Sequence, residues 1–267
     1  MFCLLGLALA ATPTLQDPEL DEASGMVYRH RGGVWVVEDS GNRNELFAVG
    51  PQGEALGRVA LRGVANVDME ELAAFDLPGV GRVLVVADTG DNLARRRDTK
   101  LVFVAEDAVE QGIRTGWAAP LRSLALRLPS GPADIEALAV HPVDGQLYLL
   151  TKREEPPILW RVDMLTGATT RLGPFHWPSD LAEPSQPTAM DFTPDGERLI
   201  IQTYTGAWVV GWGGQDWLDG DHLVPFPTPP LEQAEAGCVG PDGAWWLTSE
   251  GVGAPLLRLD LPSAAGQ

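Results

Sequence analysis

A plan of short strands and tight turns recurs five times along the chain, and this repeat restricts the fold more than any other feature. Each copy opens with a polar residue and a short apolar strand. The openings are Glu22-Ala-Ser-Gly-Met-Val, Glu70-Glu-Leu-Ala-Ala-Phe, Glu136-Ala-Leu-Ala-Val, Thr188-Ala-Met-Asp-Phe and Glu235-Ala-Gly-Cys-Val. Self-similarity of this kind is typical of propellers and solenoids.

Three copies continue with nearly the same turn. The turns are His141-Pro-Val-Asp-Gly145, Thr193-Pro-Asp-Gly196 and Gly240-Pro-Asp-Gly243. Proline presets φ for such a turn, and glycine accepts the left-handed position at its end. We therefore expect a positive φ at the last glycine of each turn.

Further strands follow each opening, rich in β-branched, aliphatic and aromatic residues. The pattern predicts an all-β fold: a five-bladed β-propeller with four-stranded antiparallel blades, a six-bladed ring being the alternative. No linker divides residues 11–267, so we expect one domain. The last copy ends too soon for a fourth strand. Residues 11–15 are predicted to supply it and close the ring.

The N-terminus resembles an export signal. Phe2 to Ala10 is an apolar run too short to span a bilayer, and it ends in a small-x-small cleavage pattern. We predict a signal peptide at residues 1–10 and a periplasmic or extracellular location; the alternative is a buried N-terminal strand. Cys238 is then the only cysteine of the mature chain, which excludes an intramolecular disulfide and a zinc cluster.

The formal net charge of −18 limits the choice of partners. Such a surface repels nucleic-acid phosphates and anionic lipid, so we expect no nucleic acid and no membrane span. It suits cations and cationic partners, although a soluble acidic surface is a simpler explanation. We expect a monomer.

Propeller geometry brings scattered polar residues to one face. The innermost strand of a blade starts where the second strand ends, so repeat openings and second-strand loops share one mouth of the channel. The residues predicted to bind a ligand there are Glu22, Glu70, Glu136, Glu235, Lys152, Arg153, Tyr204 and Glu250. Asp68 and Asp134 lie two residues before two of the openings.

Two related loops at this face suggest a cation site. They are Asp39-Ser-Gly-Asn42 and Asp88-Thr-Gly-Asp91-Asn92, in which glycine lets the loop curl while Asp and Asn present oxygens. The predicted metal ligands are Asp39, Asn42, Asp88, Asp91 and Asn92, with calcium as the cofactor. An ordinary Asx turn explains the first loop equally well.

Carboxylates crowded at one mouth cannot all stay ionised without compensation. Three solutions are open. Lys152 and Arg153 neutralise part of the ring, or a hard cation does so, or one carboxyl keeps a proton near neutral pH and serves in acid–base chemistry. The sequence contains no nucleophile elbow, P-loop, dinucleotide fingerprint or His-Glu-x-x-His motif.

The repeat openings, the two loops and the Thr248-Ser-Glu-Gly251 segment resemble bacterial exported propellers of uncharacterised function. More distantly they are similar to calcium-dependent phytase-like and gluconolactonase-like propellers, which usually have six blades. That resemblance implies calcium in the channel and hydrolysis of a phosphate ester, a lactone or a similar bond. Five-bladed glycosidases are a further analogy.

Two functions follow from these observations. The first is an exported propeller that binds a divalent cation and a small polar ligand at its acidic mouth, with hydrolysis of an ester, phosphoester or lactone as a further step. The second is a non-catalytic scaffold that binds an extracellular protein or a cell-wall component. The sequence leaves open whether the chain is an enzyme.

Overall fold

The computed structural model describes residues 12–178, 186–213, 218 and 220–262. The predicted signal peptide at residues 1–10 lies outside them. The described strands form five sheets, in which the strands pair antiparallel except for one short parallel pair in the first sheet. The alternation of short apolar strands with Gly-containing turns favours this arrangement.

The first two sheets are interleaved in sequence. Blade one contains β1 (Ala23–Tyr28), β2 (Val34–Glu38), β3 (Glu45–Val49) and β4 (Ala55–Leu61). Blade two contains β5 (Met69–Leu77), β6 (Gly81–Asp88), β7 (Lys100–Ala105) and β9 (Arg122–Ala125). Between β7 and β9 lie α1 (Glu106–Thr115) and the two-residue β8 (Trp117–Ala118), which adds to β4 in parallel. The sequence predicts one helical turn at Asp107 to Gly112, whereas the structure has a helix of 10 residues there.

The remaining blades follow the predicted order. Blade three contains β10 (Ile135–Val140), β11 (Leu147–Thr151), β12 (Ile158–Val162) and β13 (Thr169–Pro174). Blade four contains β14 (Pro187–Phe192), β15 (Arg198–Thr203), β16 (Gly206–Gly211) and β17 (Val224–Phe226), with a 3-10 turn at Gly220–His222 before its last strand. Blade five contains β18 (Ala234–Val239), β19 (Trp245–Ser249) and β20 (Leu257–Leu259).

The five sheets are arranged as a closed ring. The innermost strand of each blade packs against that of the next, and β18 of blade five packs against β1 of blade one. An apolar core lies between each pair of neighbouring blades. The protein is therefore a five-bladed β-propeller, as the repeat predicted. Gly145, Gly196 and Gly243 have φ of 67°, 74° and 78°, which confirms the prediction for the shared turns.

The N-terminal segment completes blade five. Leu256 donates its N–H to the Pro13 carbonyl at 2.8 Å, and Leu15 donates to the Ala254 carbonyl at 2.8 Å. Gln16 then donates to the Gly53 carbonyl of blade one at 2.9 Å. The predicted closure is thus an isolated antiparallel bridge that ties blade five to blade one.

Buried carboxylates hold helix α1 against the face of the ring opposite the channel mouth. Glu106 accepts hydrogen bonds from Trp35 Nε1 and from the His30 N–H, both at 3.0 Å. Glu110 forms an ion pair with Arg29, with Arg29 Nη2 at 2.6 Å from Glu110 Oε2. These contacts balance the helix acids and give them a structural role. In the described part of the chain no helix is long and apolar enough to cross a membrane.

Candidate functional site

Every innermost strand carries a β-bulge near its start, at the end of the blade where the second strand finishes. In blade two, Met69 pairs with Asp88 and Glu71 with Ala87, which leaves Glu70 without a partner of its own. A bulge re-aims the side chain of the extra residue and is common beside functional sites. The bulge residues of the five blades are Ser24, Glu70, Glu136, Thr188 and Glu235.

Glu22 does not hold the bulge position in blade one, contrary to the alignment of the repeat openings. That position belongs to Ser24, which donates a hydrogen bond to Glu70 Oε2 at 2.9 Å. Glu22 lies two residues earlier, where blades two and three have Asp68 and Asp134. It is exposed and accepts a hydrogen bond from Asn42 Nδ2 at 2.6 Å.

Three carboxylates from blades one and two meet at the mouth. Asp39, Asp68 and Glu70, here called the acidic triad, each place an oxygen within 4.8 Å of the other two. Asp68 is 8% exposed, and its Oδ1 is buried without a hydrogen-bond partner. Among the described residues no Lys, Arg or His forms an ion pair with the triad. A buried, unpartnered carboxylate oxygen beside two further acids is a strong attractor for a cation.

Burial and repulsion between neighbouring acids raise the pKa values of two members of the triad, Asp68 and Glu70. Burial raises the pKa of Asp68 to about 7, with a further contribution from the adjacent Asp39 carboxyl. Burial, followed by repulsion from Glu136, raises the pKa of Glu70 well above its ordinary value. Both shifts follow from the cost of ionising clustered acids in a partly desolvated space.

The absence of a side chain at Gly90 provides space for the carboxylates of the triad. A Cβ on Gly90 would lie 1.9 Å from Glu70 Oε1 and 2.5 Å from Asp68 Oδ2. The backbone of Gly90 is held by its N–H, which donates to the Asp68 carbonyl at 3.1 Å, and by its carbonyl, which accepts from Arg96 Nη1 at 2.7 Å. The glycine of the second predicted loop therefore shapes the carboxylate cluster by the absence of a side chain.

Blade three contributes acids that are already balanced. Asp134 and Glu136 also place oxygens within 4.8 Å of one another and of Glu70. However, Lys152 forms an ion pair with Glu136, and Arg153 Nε lies 2.7 Å from Asp134 Oδ2. The two predicted cations of the mouth thus compensate this side and leave the triad uncompensated.

A chain of hydrogen bonds continues from Glu136 across blades four and five. Lys152 donates to the Tyr204 hydroxyl at 2.7 Å, and that hydroxyl donates to Glu235 Oε1 at 2.7 Å. Gln233 Nε2 then donates to Glu235 Oε1 at 3.1 Å and to Glu250 Oε1 at 2.7 Å. All six ligand residues predicted on these three blades are therefore placed at the mouth: Glu136, Lys152, Arg153, Tyr204, Glu235 and Glu250.

This chain carries fewer positive charges than acids. Burial raises the pKa of Glu136 to about 8, although the Lys152 ammonium opposes the shift. Burial, followed by the contact with Glu235, raises the pKa of Glu250 to about 8. Burial and the nearby Glu235 carboxylate raise the pKa of Tyr204 above its ordinary value. Carboxyls that keep a proton near neutral pH can donate or accept one when a ligand binds.

The second predicted loop supports the mouth rather than supplying triad ligands. Asp88 is fully buried and forms ion pairs with Lys100 and with Arg96, whose Nη2 lies 2.7 Å from Asp88 Oδ1. Asp91 accepts hydrogen bonds from the N–H groups of Arg95 and Arg96 at 2.8 and 2.7 Å. Two further predicted ligands are bound by neighbours: Asn92 by Arg153, and Asn42 by Glu22. Only Asp39 of the predicted metal ligands joins the triad.

Glu71 lies one level deeper in the channel and was not selected from the sequence. At this level the other blades have Gly25, Ala137, Ala189 and Ala236, so a single large side chain fits. Glu71 Oε1 accepts hydrogen bonds from the N–H of Met26 at 3.1 Å and of Leu72 at 2.9 Å. Complete burial raises its pKa well above the ordinary value.

Comparison with known proteins supports the fold. No protein-family model matches the chain, and no curated protein matches it in sequence. A PQQ-bound aldose sugar dehydrogenase from Streptomyces coelicolor is similar in structure, with a TM-score of 0.55 and 12% identity, covering 94% of this chain and 96% of that one. A luciferin-regenerating enzyme is similar with a TM-score of 0.53 and 12% identity, covering 94% and 95%.

A third similar structure is an auxiliary nutrient binding protein from Bacteroides thetaiotaomicron VPI-5482. Its TM-score is 0.50 at 10% identity, and the match covers 90% of this chain but 57% of that one. These similarities place the chain among β-propeller proteins, some of which are enzymes. At such identities the likeness extends to the fold and not to the residues of the mouth.

Proposed function

We propose that the mouth of the channel binds a divalent cation on the acidic triad, with calcium as the cation that best suits the site. The observation that carries the proposal is Asp68 Oδ1, a buried carboxylate oxygen with no hydrogen-bond partner beside two further acids. Calcium takes oxygen ligands in flexible geometry and tolerates several carboxylates at once. It would replace the protons that Asp68 and Glu70 otherwise hold.

The proposed ligand is a small polar molecule bound above this cation. Arg153 is the exposed cation of the mouth, with 43% of its side chain accessible, and it is positioned by Asp134 and Asn92. Tyr204 and Glu250 are partly exposed at the same mouth and offer hydroxyl and carboxyl groups. Hydrolysis of an ester, phosphoester or lactone stays a prediction, for which Glu136 and Glu250 are the candidate acid–base groups.

Export is part of the proposal. It rests on the apolar Phe2 to Ala10 segment and its small-x-small ending. Cys238, the remaining cysteine, is buried and unpaired, so the fold needs no disulfide. N-terminal sequencing of the secreted protein tests this part, and a mature chain that starts at residue 11 is the expected result.

The second candidate is a non-catalytic scaffold that binds an extracellular protein or a cell-wall component. The pairing of Lys152 with Glu136 and of Arg153 with Asp134 favours it, because half of the mouth is stabilised by the chain itself. Such networks also occur in plain scaffolds. In this version protons neutralise Asp68 and Glu70, and calcium has no effect on stability.

Thermal unfolding with and without calcium separates the two candidates. A ligand at about one hundred times its Kd stabilises the folded state by about 2.7 kcal/mol. We expect calcium to raise the Tm of the wild type but not that of Asp68→Asn. Asp76→Asn is the matched control, since Asp76 is exposed at the other end of the same strand, β5. It should respond like the wild type. A wild-type Tm that ignores calcium and chelator would leave the scaffold as the function.

A further inference from the structure

A cavity of about 250 Å³ lies beside the mouth and combines basic with apolar walls. It is formed by the loop before β7 and by the connection between β9 and β10. Leu126, Leu128, Ala133 and Ile135 form its apolar lining, and all four are buried. Arg96, Arg97 and Arg127 also line it.

The arginines of this cavity differ in how their charges are used. Arg96 pairs with Asp88 and lies 3.2 Å from Asp98, while Lys100 supplies a second positive charge to Asp88. The two acids are therefore matched by two cations. The exposed side chains of Arg97 and Arg127 form no hydrogen bond or ion pair with any described residue.

We propose that this cavity binds a small organic oxyanion, a carboxylate or a phosphate monoester with a short apolar body. Guanidinium groups present planar forks of donors that match both oxyanions. The apolar lining would contact the body of the ligand, as in other small-molecule sites. Arg97 and Arg127 give this cavity a local positive charge on a chain whose net charge is −18.

This site is separate from the cation site of the mouth. Its charge has the opposite sign, and none of the acidic triad lines it. Binding of the oxyanion therefore requires no calcium. Arg96 nevertheless joins the two regions, because its partner Asp88 also accepts a hydrogen bond from the Asp68 N–H at 3.1 Å.

Calorimetric titration of the full chain in the presence of a chelator tests the proposal. The probes are hexanoate, butyl phosphate, hexanol and inorganic phosphate. We expect saturable binding of hexanoate or butyl phosphate, and the tighter of the two identifies the oxyanion. Hexanol lacks the charge and inorganic phosphate lacks the apolar body, so both should bind at least about tenfold more weakly.

The variants Arg97→Ala and Arg127→Ala should each weaken oxyanion binding about tenfold, the effect of losing one charge-assisted hydrogen bond. Arg95→Ala is the matched control, since Arg95 is an exposed neighbour that does not line the cavity. Equal weakening by Arg95→Ala would reduce the effect to general surface charge and overturn the proposal. Equal affinity of the wild type for hexanol and for the oxyanions would also overturn the proposal. So would the absence of saturable oxyanion binding to wild-type protein that a melting curve shows to be folded.

Discussion

The Lys152 ammonium donates to the Tyr204 hydroxyl at 2.7 Å while it forms an ion pair with Glu136 on its other side. The Tyr204 hydroxyl in turn donates to Glu235. One buried cation is therefore linked to two glutamates on different blades, to Glu136 directly and to Glu235 through Tyr204. The mouth is thereby divided in two. Blades three to five are joined by their own hydrogen bonds, whereas no Lys, Arg or His in the described part of the chain forms an ion pair with the triad of blades one and two.

Glu136→Gln should destabilise the protein directly. The amide keeps the volume but leaves Lys152, which is 6% exposed, as a buried charge with less compensation. Breaking a buried ion pair typically costs about 3–5 kcal/mol. We expect a loss of this order in urea unfolding at pH 9, above the pKa of about 8 at which Glu136 ionises, and of equal size in calcium and in chelator. If the calcium response disappears in this variant, the cation instead lies on Glu70, Asp134 and Glu136.

Stability without calcium should fall as the pH rises from 5 to 8. The folded-state pKa values of Glu136 and Glu250 are raised to about 8, above those of an unfolded chain, so the folded state binds more protons. Stability from these groups is complete below the unfolded pKa and is lost as the pH rises through the folded value. Urea unfolding in chelator at several pH values measures the slope.

Glu250→Gln is the control for this pH dependence. It removes one of the titrating groups from the partly exposed side of the mouth, so the slope between pH 5 and 8 should become shallower. A wild-type stability that increases over this pH range would contradict the assignment of retained protons to the mouth.

The ring, its blade number and its turns could be predicted from the sequence because they depend on local patterns. Alternating apolar strands and Pro-Asp-Gly turns report directly on hairpins. The channel mouth could be located for the same reason, since strand order alone decides which loops meet there. Helix α1 was underestimated because Gly112 interrupts its pattern, while its stability comes from contacts of Glu106 and Glu110 with blade one.

The set of side chains that meet at the mouth could be predicted only in part, because it depends on register and on distant partners. In blade one the bulge places Ser24, and not Glu22, at the position that Glu70 has in blade two, and the sequence does not show this. The sequence pattern predicts Asp88 as a calcium ligand, but in the structure its carboxylate forms ion pairs with Arg96 and Lys100. The sequence placed Asp68 two residues before its repeat opening, as it did Asp134, but it did not show that Asp68 lies against Asp39.

Removal of residues 1–16 should lower stability by several kcal/mol. The segment pairs with blade five, and Leu15 is 3% exposed in the core between blades five and one. Deleting a buried leucine side chain alone costs about 2–5 kcal/mol. A chain that starts at Ala11, the predicted mature start, is the control and should melt at the wild-type temperature. Equal melting of both truncations would show that the bridge to Pro255 contributes nothing.

Gly90→Ala should abolish the calcium response while leaving the fold intact. The new methyl group would lie 1.9 Å from Glu70 Oε1 and 2.5 Å from Asp68 Oδ2, so both carboxylates must move away from the positions in which they face Asp39. These atoms are the far ends of flexible side chains, and Gly90 has no positive φ that alanine would strain. The backbone hydrogen bonds of Gly90 are kept by alanine.

Gly206→Ala is the matched control, because a Cβ there meets no atom within 4 Å and Gly206 lies at the start of β16 on the same face. We expect both variants to unfold cooperatively in chelator, and Gly206→Ala to gain stability from calcium as the wild type does. Gly90→Ala should gain none at calcium concentrations that saturate the wild type. An undiminished response of Gly90→Ala would contradict the triad as the cation site, since the cation would then have to bind where the carboxylates of Asp68 and Glu70 are not needed.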